Sequence, residues 1–131
     1  MEANELMTGD WVILSGDPNP QQVQELLIDS VTIQCWPHRF DDINPIPLTP
    51  EILEKNGFKN RNGYQWIYKD NYSKIRIDIA PKVVIDGEEL GEPPICLTLE
   101  GVLFNINMSI KYVHELQHAL KICEIEKEIV L

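Results

Sequence analysis

The sequence predicts an α+β protein, mainly antiparallel sheet with two helices. Three observations lead to that class. Short stretches of β-branched and aromatic residues recur with turn residues between them, as in "KIRIDIA" at 74–80. The segment "LTPEILEKNGF" at 48–58 carries both a helix start and a helix stop. A second segment, "SIKYVHELQHALKIC" at 109–123, has the length and apolar spacing of a helix. The 131 residues, 44% of them hydrophobic, suit one domain or two small lobes sharing a core.

Taken in order, "DWVILS" (10–15), "QVQELLI" (22–28) and "VTIQCW" (31–36) read as three short antiparallel strands. Gly16 to Pro20 supply turn chemistry between the first two, and Asp29 and Ser30 between the next two. The brevity of the strands and the tightness of the turns predict an SH3-like N-terminal half-barrel. Residues 37–48, with three prolines, read as an irregular connector. Thr49 is a fitting N-cap, Pro50 sits where a missing N–H costs nothing, and Gly57 suits a left-handed C-cap, giving a helix at about 50–56. "YQWIYK" (64–69) and "KIRIDIA" form a hairpin around "DNYS", with Ile75, Ile77 and Ile79 on the buried face. "PKVVID" (81–86) reads as a further strand, Asp86 to Glu92 as an acidic surface loop, and 95–106 as two more strands. A helix follows at about 109–122, and the alternating tail "EIEKEIVL" is expected to end the chain as a strand. This organisation separates a small barrel-like β lobe, residues 1–40, from an α+β lobe, residues 41–131, packed together as one compact unit.

Lys plus Arg number 11 against 21 Asp plus Glu, a net charge of -10. That balance argues against nucleic acid, where affinity comes from neutralising phosphates, and against an anionic membrane surface. No apolar run spans a bilayer, and "MEANELMTGDW" lacks a basic and then apolar leader, so a cytoplasmic protein is expected. Cys35, Cys96 and Cys123 are odd in number and far apart, which predicts free, buried thiols.

The sharpest motif is His114-Glu115-Leu116-Gln117-His118, the H-E-x-x-H of zinc peptidases. Residues i and i+4 share a helix face, so His114 and His118 could grip one zinc while Glu115 activates its water as general base. Three features oppose the reading. The extended motif would need glycine at Lys121 and a ligand at Glu124, so the third ligand is missing. On a helical wheel Tyr112, Val113, Leu116, Ala119, Leu120 and Cys123 form the core stripe, which leaves His114, His118 and Lys121 toward solvent. A chain of this length also has little material for a second layer over that polar face. The expectation is therefore no metal and no catalytic residue, with zinc at His114 and His118 and Glu115 as base kept as the alternative.

Weaker constellations are Cys35 with His38, a nucleophile and base that nothing orients, and "WPHRF" (36–40), expected to be a loop that packs its aromatics inward, with a small recognition surface at a barrel rim as the alternative. Three segments together, "ANELMTGDWV", "IPLTPEILEKNGF" and "IKYVHELQHAL", resemble small uncharacterised proteins of gut anaerobic bacteria and their phage-like elements. The resemblance covers both ends and the middle of the chain. It implies a shared fold and genomic setting and brings no activity, substrate or cofactor. It also implies that His114 belongs to the common helix, whereas His118 completes the motif only locally. The resulting expectation is a non-enzymatic factor that works through an unknown protein partner. A zinc-dependent hydrolase is the alternative, and an acidic decoy for a basic protein is a third possibility.

Overall fold

A computed structural model of the chain describes residues 5–27, 30–70, 72–80, 84–89, 95–101 and 104–131. It is mostly antiparallel sheet with two helices. The chain divides into one unit of residues 1–48 with 112–129 and 131, and another of residues 49–111 with 130. The boundary expected at residue 40 thus moves to 48, and the C-terminal helix groups with the N-terminal strands.

In the first unit β1 (Trp11–Leu14), β2 (Pro20–Gln22), β3 (Glu25–Leu26), β4 (Ser30–Ile33), β5 (Trp36–Arg39) and β6 (Ile43–Pro45) form two three-stranded sheets, ordered β2-β1-β6 and β3-β4-β5. Leu6, Val12, Val23, Val31, Ile33 and Ile43 form their common apolar core. The strand expected at 22–28 is broken at Val23 and Gln24, and the connector expected at 37–48 contributes β5 and β6. Prolines hid those two strands. Each is the outer strand of its sheet, and proline is tolerated at a sheet edge because no ladder partner is owed its missing N–H.

The long helix, α2, runs Val113–Ile122 rather than from 109, because Ser109 and Ile110 are still paired in a sheet of the second unit. The tail forms no strand. Its Ile125 and Ile129 are buried, and the Trp11 indole Nε1–H donates to the Ile129 carbonyl at 2.7 Å.

The second unit opens with α1 (Pro50–Lys55). Thr49 Oγ1 accepts from the Ile52 N–H at 3.4 Å. Gly57 takes φ +83°, which lets the Phe58 N–H reach back to the Leu53 carbonyl and Gly57 N–H to Glu54. Phe58 is buried, with its ring centroid 5.7 Å from that of Tyr68. The buried Asn56 side chain donates to Val130 O and accepts from Val130 N, which ties the end of the chain to α1. There follow β7 (Lys59–Arg61), β8 (Gln65–Lys69), β9 (Ser73–Ile79), the two-residue strands β10 (Val84–Ile85) and β11 (Glu88–Glu89), β12 (Ile95–Gly101) and β13 (Asn105–Ile110). The main sheet is antiparallel throughout, in the order β13-β12-β9-β8-β7. Ile75, Ile77, Leu97 and Leu99 have no exposed surface, as the alternation predicts. The strand expected at 81–86 appears only at Val84–Ile85, residues 81–83 being outside the described ones, as are residues 90–92 of the acidic loop. No helix among the described residues is long and apolar enough to cross a membrane.

Candidate functional site

Helix α2 buries Val113, Leu116, Ala119 and Leu120, four of the six residues in the expected stripe, while Tyr112 and Cys123 at its ends are half-buried. His114 is buried too, only 5% exposed, which corrects the expectation that it faces water. The reason is a second layer that the wheel cannot see. Residues 7–11 run along the polar side of α2 as a strap. Gln117 accepts from the Trp11 N–H at 2.9 Å and donates to the Gly9 carbonyl at 3.0 Å, and Lys121 donates to the Thr8 carbonyl at 2.8 Å. Gly9, at φ +93°, forms the bend that brings these carbonyls to the helix.

Asp10 lies at the centre of this strap with no exposed surface. Its Oδ2 accepts from the Met7 N–H at 2.7 Å and lies 2.6 Å from His118 Nε2. The His118 side chain keeps 21% of its surface exposed, and it too departs from the expected solvated histidine. The His114 ring stands edge-on to His118 at 5.5 Å and stacks on Tyr112 at 5.7 Å. Burial pushes His114 below its ordinary pKa. The Asp10 charge opposes that shift, and His118 adds to it. Asp10 Oδ1 and His114 Nδ1 are both buried without a hydrogen-bond partner among the described residues.

His118 Nε2 is taken by Asp10, which leaves Nδ1 as the ring nitrogen that could ligate a metal, since a histidine that donates one N–H to a carboxylate keeps the lone pair of the other. Glu115, which would be the general base, turns back on its own helix: its Oε1 accepts from the Tyr112 N–H at 3.0 Å, an N-terminal capping bond. Among the described residues no group of three or more His, Cys, Asp or Glu is placed to hold a metal. The Asp10–His118 contact joins distant parts of the chain. It holds the N-terminal strap to the C-terminal helix across 108 residues of sequence.

The other candidates separate. Cys35 and Cys96 are exposed and Cys123 is half-buried, so the thiols are free as expected but not buried. No hydrogen bond joins Cys35 to His38; the Cys35 N–H donates to Gln24 Oε1 instead. In "WPHRF", Phe40 packs against the core but Trp36 is 72% exposed, which overturns the inward reading for that residue. Sequence reasoning missed Asp10, whose only signal was a single carboxylate in an apolar strand opening. Comparison with protein families, curated proteins and solved structures finds no match.

Proposed function

We propose that the chain is a small non-enzymatic cytoplasmic factor that binds a protein partner, with an SH3-like first unit presenting the contact. One observation carries this reading. Trp36 stands 72% exposed beyond the β4–β5 turn, where Gln34 and Cys35 both take left-handed backbone at φ 51° and 66°. That conformation disfavours side chains other than glycine, asparagine and aspartate, so the turn holds strain of a kind that clusters at ligand-contacting positions. Tryptophan is the side chain most enriched among residues that dominate binding energy at interfaces. The resemblance to proteins of gut bacteria and phage-like elements gives the reading its setting, an accessory factor of a mobile element.

The test is affinity capture from the native host with the wild-type chain and with Trp36→Ala side by side. A defined partner retained by the first and lost by the second is the expected result. A partner retained equally by both overturns the assignment to Trp36. A zinc-dependent hydrolase stays the second reading because two buried polar atoms, Asp10 Oδ1 and His114 Nδ1, have no partner beside the motif. Near-stoichiometric zinc in protein purified without a histidine tag, lost in His118→Ala, would establish the metal site that this reading requires.

A further inference from the structure

The charge of this chain is unevenly placed. The first unit carries 12 acidic side chains against 3 basic ones, and the second 9 against 8. Within the second unit the basic groups are concentrated further. Antiparallel partners place their side chains on one face, so the register assigns the outer face of the five-stranded sheet directly. Lys59 pairs with Ile67, Ile67 with Arg76 and Arg76 with Thr98; Arg61 pairs with Gln65; Lys69 pairs with Lys74. Five of the chain's 11 basic side chains therefore share this face with two acidic ones, Asp78 and Glu100. Leu97, Leu99, Ile75 and Ile77 occupy the other face and are fully buried.

Lys59, Arg61, Lys69, Asn105, Asn107 and Ser109 on this face are exposed, Lys74 and Arg76 are half-buried, and Thr98 is buried. Arg76 is held by Asp78 at 3.3 Å, whereas Lys69 and Lys74 have no ion pair among the described residues. These two lysines sit directly opposite each other on neighbouring strands, and Lys74 also faces Glu100 on the strand to its other side. Beside them a shallow concavity is lined by Asp70, Tyr72, Ser73 and Gly101 as well as both lysines and Glu100.

We propose that this face docks an acidic protein segment, with Lys69 and Lys74 receiving its carboxylates. The inference is independent of the Trp36 contact, which lies in the other unit. Charge complementarity names the occupant: a locally positive surface on a chain of net charge -10 selects short, discretely placed negative charges. A peptide fits better than a nucleic acid. No strand residue on this face is aromatic, although Tyr72 lines the concavity beside the lysines, and Asp78 and Glu100 would repel a continuous phosphate chain. Asn105, Asn107 and Ser109 offer donors and acceptors suited to peptide groups.

Fluorescence anisotropy with a labelled ten-residue peptide of alternating Glu and Ser tests the proposal, with a dT ten-mer as the comparison probe. The expected result is saturable peptide binding that weakens at least tenfold in Lys69→Glu/Lys74→Glu and with added salt, and is unchanged in Trp36→Ala. The single variant Lys69→Gln should bind the peptide less well yet melt at a higher temperature, because the like-charge contact is relieved. That combination also separates a binding role from lost folding. Equal peptide binding by the charge-reversed variant overturns the proposal. So does tighter binding of dT, or a concentration-dependent self-association that the same reversal abolishes, since each assigns the face to a different occupant.

Discussion

A carboxylate with no exposed surface is stable only when donors meet its oxygens, and Asp10 satisfies that condition at one oxygen through Met7 N–H and His118 Nε2. Removing the carboxylate leaves the Met7 N–H and the imidazole without their acceptor. Asp10→Ala is expected to cost about 2–4 kcal/mol in urea denaturation, more than a surface carboxylate would. His114 gives a pH signature. Its folded pKa lies below the ordinary 6.5 because burial disfavours the imidazolium. The unfolded chain then binds more protons in the interval between the two values. The contribution of His114 is full above about 6.5 and is lost as pH falls toward the lowered folded value. His114→Gln should flatten that part of the stability profile, in a site where Asp10, His118, Glu115 and Glu5 all contribute to the local field. A profile unchanged by the substitution would place the pH dependence elsewhere.

At the scale of elements, the short helix α1 was fully legible because its signals are local. Thr49, Pro50, Gly57 and Phe58 lie within ten residues and each acts on its neighbours. Thr49→Ala is expected to cost about 1 kcal/mol, and Gly57→Ala about 1 kcal/mol from its left-handed backbone, both read as shifts in the thermal midpoint. The alternation of 74–79 was equally legible, since a strand with one buried face writes its period into the sequence. Strands β5 and β6 were not, because Pro37 and Pro45 rule out a central strand but not an edge. The burial of His114 was not legible either. The periodicity of α2 reports what that helix can bury, and the strap that covers its other side comes from 108 residues away. The β4–β5 hairpin allows a clean check on Trp36, one of three tryptophans, with Trp66 buried and Trp11 half-buried. Trp36→Phe should remove most of the iodide-quenchable fluorescence and change stability by no more than about 0.5 kcal/mol. Quenching unchanged by the substitution would mean that Trp36 is covered in solution.

On the scale of the whole molecule, two distributions matter: where charge is placed and which chain ends are tied down. The first unit holds nearly all of the excess negative charge, so added salt is expected to raise the melting temperature by screening it. The chain's beginning and end meet in that unit through the strap, with Asp10 on His118, Trp11 on Ile129 and Lys121 on Thr8. Within the H-E-x-x-H stretch, Glu115 caps its own helix and His118 meets Asp10 of the strap. The most direct test of this account is a double-mutant cycle of Asp10→Asn and His118→Gln, measured by urea denaturation in the presence of chelator. The Asp10–His118 contact predicts a coupling energy of about 1–3 kcal/mol that chelator leaves intact. Additive single substitutions, or a coupling that appears only when zinc is supplied, would contradict it.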